Sequence, residues 1–200
     1  LLDEPRRPWL DPEALKARFL ALAEKLHPDR VHESSEAAKQ AATNRYTAVN
    51  AAYQCLREPR DRLRLLLELE RGGKPSGIKQ VPAATMDLFL RIGQLCREVD
   101  SFLRQRSEVT SPLLKVQMFE QGMEWAEQLN EFQRMLQAER AASEEKLKEM
   151  NAAWDNAPRL DSPERAGTLP LDQLEDIYRT LSYLARWSSQ CQDRVVQLSL

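Results

Sequence analysis

The spacing of the apolar residues is the strongest constraint on the fold, because it repeats every three or four positions along most of the chain. This spacing places apolar side chains on one face of an α-helix, whereas a strand would show strict alternation. Glycine is scarce, at 6 of 200 residues. Long stretches are rich in Ala, Leu, Glu, Gln and Arg, which lose little rotamer freedom in a helix. The sequence therefore predicts an all-α protein.

The first clear helix is predicted to begin at Asp11-Pro12-Glu13, which supplies an N-cap acceptor, a first-turn proline and an acid facing the helix dipole. Pro28 ends this helix, because it lacks a backbone donor and restricts His27 to extended angles. A second helix is predicted from about Ser34 to Arg57. The two helices have complementary apolar faces and a short connection, so we expect them to pack antiparallel.

The stretch 72–83 breaks all periodicity and is predicted to be a linker. A short Leu-rich helix, Asp61 to Glu70, precedes it, and helices with bundle-type seams follow it. Residues 157–170 hold three prolines and a glycine, which predicts a loop. The last helix is predicted from Leu171 to Leu198. We expect the helices after the linker to form an antiparallel three-helix bundle.

Composition excludes several classes of function. A formal net charge of −2 gives no electrostatic argument for binding nucleic acid or an anionic membrane. No apolar run is long enough to span a bilayer. Cys55, Cys96 and Cys191 are few and widely separated, which argues against a disulfide framework and a tetrahedral metal site. No Gly-rich phosphate loop or acid/base signature indicates an enzyme. We expect no catalysis, no cofactor and no metal.

The tripeptide His27-Pro28-Asp29 joins the two predicted antiparallel helices. A bare tripeptide of this kind arises by chance, but here it lies at the end of an amphipathic helix, within the stretch Leu15 to Arg30, and precedes a second helix that contains Asn50-Ala-Ala-Tyr53. In this setting the chain resembles the J domain of DnaJ-type co-chaperones. The resemblance implies that the loop binds the ATPase domain of a DnaK-type chaperone and promotes ATP hydrolysis. Leu1-Leu2 resembles the C-terminal end of the family's short first helix. The rest of that helix has no counterpart in this sequence.

Four cationic residues surround the tripeptide and could steer it toward an acidic surface on the chaperone. They are Lys16, Arg18, Lys25 and Arg30. The alternative for these cations is a solvated helix face. The alternative for His27 is a polar cap at the negative end of the preceding helix.

Among J-proteins, the chain resembles HscB, called Jac-type in eukaryotes, which serves iron–sulfur cluster assembly. Three segments carry this likeness: Pro5 to Phe19, Leu56 to Leu67, and Tyr178 to Trp187. The likeness is poor between residues 104 and 170. It implies a DnaK/HscA-type chaperone as partner and the scaffold IscU as client, in the bacterial cytosol or the mitochondrial matrix of a eukaryote.

The implied domains are a J domain over 1–71 with a truncated first helix, the linker 72–83, and a client-binding bundle over 84–200. The expected client surface is an apolar strip on the first bundle helix together with an aromatic on the last. Its residues are Met86, Phe89, Leu90, Gly93, Arg97 and Tyr183.

The acidic contacts of the family do not carry over, because Gln94, Arg97 and Ser101 stand where the family tends to have Glu. Three alternatives therefore stay open. The client could differ from IscU, the strip could pack against residues 59–71, or the chain could be a helical scaffold with an idle loop.

Overall fold

The computed structural model describes residues 1–27, 35–75 and 81–199. All regular structure in these ranges is helical, so the all-α prediction is confirmed. The helices are α1 (Pro12–Leu26), α2 (Glu36–Arg57), α3 (Pro59–Arg71), α4 (Met86–Glu108), α5 (Pro112–Asp155), α6 (Arg165–Thr168) and α7 (Leu171–Ser199), with one 3₁₀ turn at Ala83–Thr85. Within the described ranges, none of these helices is both long and apolar enough to cross a membrane.

The chain divides into two compact units, each built from two separate stretches of sequence. Unit 1 comprises Leu1–Pro75 and Lys146–Glu175, and unit 2 comprises Ser76–Glu145 and Asp176–Leu200. The region predicted as a single C-terminal bundle, 84–200, is therefore shared between the two units. Of the predicted linker 72–83, residues 76–80 lie outside the described residues.

In unit 1, α1 and α2 each begin at a side-chain N-cap, of which the one at Asp11 was predicted from the sequence. Asp11 is the N-cap of α1, and its carboxylate accepts hydrogen bonds from the backbone N–H groups of Glu13 and Ala14, each at 2.9 Å. Ser35 caps α2 by accepting from the Ala38 N–H at 3.3 Å. Each bond satisfies a donor that the first helical turn leaves without a partner.

Helices α1 and α2 of unit 1 pack antiparallel, as predicted. Leu15 of α1 and Val49 of α2 are buried in a shared core. The rings of Phe19 and Tyr53 stack at 4.1 Å between centroids, with 10° between their planes. His27, after the end of α1, contacts Tyr46, whereas the earlier residue Phe19 contacts the later residue Tyr53, so the helices run in opposite directions.

Residues 1–11 contain no helix, so Leu1-Leu2 does not form the helical remnant that we expected. Pro5 and Pro8 lack the N–H that a helix requires beyond its first turn. Asp3 has a positive φ of 52°. Leu2 instead packs into the core beneath α1 and α2.

Long-range polar contacts hold residues 146–175 in unit 1. Trp9 and Asn151 exchange two hydrogen bonds, each of 3.0 Å, between backbone and side-chain amide groups. Arg165 pairs with Glu70 of α3. The predicted loop 157–170 contains one helical turn, α6, which Thr168 supports by donating to the Arg165 carbonyl at 2.9 Å.

In unit 2, the seams predicted from spacing are the buried faces of the helices. The buried seam residues are Ile92, Val99 and Phe102 of α4, Leu129, Phe132 and Leu136 of α5, and Leu181 and Leu184 of α7. Gly122 belongs to the same face of α5, and a Cβ added there would lie 3.7 Å from the Phe102 ring. These residues form the core of the bundle.

The helices of unit 2 alternate in direction. Phe89 of α4 lies beside Trp187 of α7, and farther along Asp100 pairs with Arg194, so α4 and α7 run in the same direction. Arg91 lies over the ring of Phe132, whereas the later α4 residue Phe102 faces the earlier α5 residue Gly122. The intervening helix α5 is therefore antiparallel to both.

Candidate functional site

His27 is placed where α1 ends. It has extended angles, with φ −58° and ψ 129°, and its side chain is exposed. The imidazole meets the ring of Tyr46 edge-on, at 5.6 Å between centroids and 78° between planes. This contact fixes the start of the α1–α2 connection against the second helix.

An open groove of about 410 Å³ adjoins His27. Its lining residues are Leu20, Ala23, Glu24, His27 and Tyr46. Leu20 is 54% exposed, so the groove offers an apolar side chain to solvent beside His27. The sequence analysis assigned no role to Leu20, so its place in the groove became evident only from the structure.

The other residues of the predicted chaperone-binding loop, Pro28, Asp29 and Arg30, lie outside the described residues. The described ends of the connection are His27 and Ser35, at the C-terminus of α1 and the N-terminus of α2. The predicted role of the loop stays a prediction.

The predicted cations of α1 do not form one patch. Lys16 and Lys25 are both exposed, but nine residues of a helix turn the chain by about two and a half turns, which puts them on opposite flanks. Arg18 shares a flank with Lys25. Its Nη1 donates to the Asp3 carbonyl at 3.1 Å and lies 3.2 Å from the Glu4 carboxylate. Arg18 therefore anchors the N-terminal segment to α1.

The predicted client residues of α4 form one exposed strip. The exposed fractions are 41% for Met86, 42% for Phe89 and 60% for Leu90. Gly93 and Arg97 continue the same face at helical spacing. We call these five residues the α4 strip.

Two aromatic residues of α7 lie next to the α4 strip. The centroid of Phe89 is 6.3 Å from that of Trp187, and the centroid of Tyr183 is 5.5 Å from the same ring. Trp187 is 3% exposed and packs beneath the other two rings. The structure thus joins Phe89 and Tyr183 through a residue that the sequence analysis did not assign to the site.

The charge on the α4 strip is positive. A Cβ added at Gly93 would lie 3.5 Å from Nη1 of Arg97, so this guanidinium lies over the glycine. Gln94 donates to Glu98 at 2.9 Å along the neighbouring face. A cation at the end of an apolar strip favours a partner that offers an acid or a carbonyl at that point.

The three cysteine thiols are stabilised in their protonated form. Burial raises the pKa of the Cys191 thiol to about 12 and also raises the pKa values of Cys55 and Cys96. These thiols stay protonated at neutral pH, and a protonated thiol is a poor nucleophile and metal ligand. In the parts of the chain that the structure describes, no three His, Cys, Asp or Glu side chains cluster to hold a metal ion.

Comparison with known proteins gives two informative similarities. No family model matches the sequence. A segment of 65 residues is 45% identical to the co-chaperone protein HscB homolog of Chromobacterium violaceum, and it covers 32% of this chain and 37% of that relative. Chaperone HscB from Vibrio cholerae has a similar structure, with a TM-score of 0.59 over 98% of this chain and 96% of that one, at 20% identity.

The chain resembles the HscB co-chaperones. The segment match carries the likeness in sequence, and the solved structure carries the likeness in fold. An HscB-like fold agrees with two features described above. One is the hairpin of α1 and α2, whose connection starts at His27, and the other is the helical bundle of unit 2. The matched segment covers well under half of its curated relative. The activity and partners of this chain are therefore given below as proposals.

Proposed function

We propose that this chain is a J-domain co-chaperone that stimulates ATP hydrolysis by a DnaK/HscA-type chaperone. The observation that carries the proposal is the position of His27, exposed at the end of α1 and in contact with Tyr46 of α2. It is the first residue of the tripeptide His27-Pro28-Asp29, and the hairpin around it resembles that of HscB proteins. Residues 1–71 would act as the J domain.

The chain itself would perform no chemistry. Its effect would come from binding the hydrolysis-competent conformer of the chaperone more tightly than the other conformer, which shifts the chaperone population toward hydrolysis. A proline-stiffened loop lowers the entropy lost when it is ordered on the partner. Leu20 and the groove beside His27 would add an apolar contact next to the polar loop.

Within the proposed client-binding region, residues 84–200, the bundle of unit 2 would present a protein client, with an IscU-like scaffold as the first candidate. The α4 strip and Tyr183 supply an exposed apolar surface of the kind that marks interaction sites. We place this activity in the bacterial cytosol, or in the mitochondrial matrix if the source is a eukaryote.

A different client is the second candidate, and the position of Arg97 favours it. Its guanidinium lies over Gly93 at the C-terminal end of the α4 strip, and Arg97 itself stands at a position where the HscB pattern tends to have Glu. A partner surface selected for acids would meet a cation here, and like charges at an interface reduce affinity.

The chaperone proposal is tested by single-turnover ATP hydrolysis with the DnaK-type chaperone of the same cell. We expect the chain to accelerate hydrolysis, and we expect His27→Gln and Asp29→Asn to abolish the acceleration with unchanged circular dichroism. His32→Gln changes the only other histidine and is the matched control. Equal acceleration by His27→Gln and the wild type would contradict the proposal and leave the idle-loop scaffold.

The client proposal is tested by the amide spectrum of an isotopically labelled IscU-type scaffold. We expect shifts on addition of the wild type and weaker shifts with Phe89→Ala/Leu90→Ala. Leu160→Ala/Val196→Ala removes exposed apolar side chains elsewhere and is the control. If the wild type causes no shift, the different client is favoured. A large loss of thermal stability in the Phe89→Ala/Leu90→Ala variant would show that these residues belong to the core.

A further inference from the structure

A second exposed apolar strip lies on the first turns of α5. Leu113 is 71% exposed, Val116 60%, Phe119 62% and Met123 61%. Their spacing of three, three and four residues places them along one side of the helix. We call these four residues the α5 strip.

The α5 strip does not contribute to the bundle core. The inner face of this part of α5 is formed by Gly122 and Leu129, which are buried. Gly122 faces Phe102 of α4. Contiguous large apolar side chains that stay exposed on a soluble domain commonly mark an interaction site.

A row of acidic residues runs beside the α5 strip. It consists of Glu120, Glu124, Glu127 and Glu131, all exposed and spaced four, three and four residues apart. Glu120 follows Val116 by four positions, so the row neighbours the strip on the helix surface. Glu127 pairs with Arg134 at 2.9 Å. Between residues 112 and 131 the chain has four Glu and a single Lys.

The charge of this row decides between the possible occupants. Two copies of α5 pairing antiparallel would bring the same flank of each helix together, so the acidic rows would repel each other. An anionic membrane would be repelled for the same reason. A helix with Lys or Arg beside its apolar positions would instead match both the strip and the row.

We propose that the α5 strip is a docking site for a cationic amphipathic helix of a partner protein. The apolar side chains would pack on Val116, Phe119 and Met123, while basic side chains pair with the acidic row. The strip shares no residue with the α4 strip or the His27 hairpin. This inference therefore does not depend on the proposed co-chaperone function.

The direct test measures fluorescence anisotropy of a labelled Leu/Lys model helix of roughly 18 residues, about five turns. We expect saturable binding that weakens as salt is added. We expect Phe119→Ser/Met123→Ser to weaken binding by about tenfold or more, the effect of losing apolar anchors. Phe89→Ser/Leu90→Ser, on the α4 strip, should bind as the wild type does.

Two further measurements distinguish binding of the helix at the α5 strip from non-specific electrostatic attraction. Glu120→Gln/Glu124→Gln should weaken binding and reduce its salt dependence, and a Leu/Glu helix of the same pattern should not bind. Amide shifts in labelled protein should centre on residues 113–124. Equal binding by the Phe119→Ser/Met123→Ser variant, or by the Leu/Glu helix, would overturn the proposal. A dimer in sedimentation equilibrium that this variant dissociates would assign the strip to a second copy and also overturn it.

Discussion

Arg165 donates two hydrogen bonds to the carboxylate of Glu70, at 2.8 and 3.0 Å, across 95 positions of the chain. The side chains are 9% and 2% exposed. A third hydrogen bond runs from Arg165 to the Pro158 carbonyl. The ion pair therefore fastens the segment around α6 to α3 from within the interior of unit 1.

Removing the cation should destabilise unit 1 strongly. We expect Arg165→Met to lower the free energy of unfolding by about 3–5 kcal/mol, because the Glu70 carboxylate stays buried without a partner. Glu70→Leu/Arg165→Met should recover much of that loss, since no charge is left unpaired. Urea denaturation measures both effects.

The matched control for this pair is Arg134→Met. It removes the exposed pair with Glu127, whose side chains are 65% and 68% exposed. Its effect should stay within about 1 kcal/mol. Equal losses for Arg165→Met and Arg134→Met would show that the buried pair contributes no more than a surface pair.

The core of the hairpin should be separable from the surface beside His27. Leu15 is 2% exposed, and Leu15→Ala should cost about 2–5 kcal/mol through lost burial and a residual cavity. Leu20 is 54% exposed, and Leu20→Ala should change stability by about 0.5 kcal/mol or less. Thermal or urea unfolding compares the two variants. A large loss for Leu20→Ala would mean that the groove belongs to the core.

The helices could largely be predicted from the sequence because their determinants are local. Asp11 and Pro12 begin α1, and the seam of α4 follows from spacing alone. The contacts of residues 146–175 could not be predicted in the same way. Trp9 and Asn151 are 142 positions apart and meet through single polar groups, which leave no periodic pattern in the sequence.

The candidate site was predictable to a similar extent. The end of α1 at His27 and the apolar α4 strip follow from proline and from helical spacing. The role of Arg18 did not, because its partners Asp3 and Glu4 lie in a non-helical segment whose path no local signal determines. Trp187 could not be distinguished from an ordinary core aromatic until its distance to Phe89 was known.

Arg18 and Lys25, which share one flank of α1, should respond differently to substitution. If the chain acts as a co-chaperone, Lys25→Glu should raise the concentration needed for half-maximal ATPase stimulation at low salt, and this difference should shrink at high salt. Arg18→Ala should instead reduce stability, by about 1 kcal/mol or less, because its pair with Glu4 is partly exposed. Titrated ATPase assays and urea unfolding separate the two effects. A stability loss in Lys25→Glu as large as that in Arg18→Ala would contradict this division.

The buried thiol of Cys191 should make the stability of the folded chain depend on pH in the alkaline range. Its pKa is about 12 in the folded chain against 9.0 for an ordinary thiol. Folding therefore favours the protonated form. This contribution to stability is complete below pH 9 and is lost as the pH rises toward 12. Cys191→Ala should flatten the fall in stability over that interval.

Alkylation gives an independent measure of the same thiol. With iodoacetamide at pH 8, Cys191 should stay unmodified in the native protein and react after unfolding in guanidinium. Peptide mass spectrometry resolves it from Cys55 and Cys96. Rapid native modification of Cys191 would show that this site opens readily.

The hydrogen bonds between Trp9 and Asn151 can form only late in synthesis, because Asn151 is added 142 positions after Trp9. The hairpin of α1 and α2 is synthesised early, but residues 146–175 follow only after residues 58–145, which take roughly 4 to 18 seconds at ordinary rates of translation. During that interval the hairpin of α1 and α2 exists without residues 146–175, which complete unit 1. A protein proposed to assist a chaperone therefore has a long nascent stage in which its own hairpin of α1 and α2 is incompletely packed.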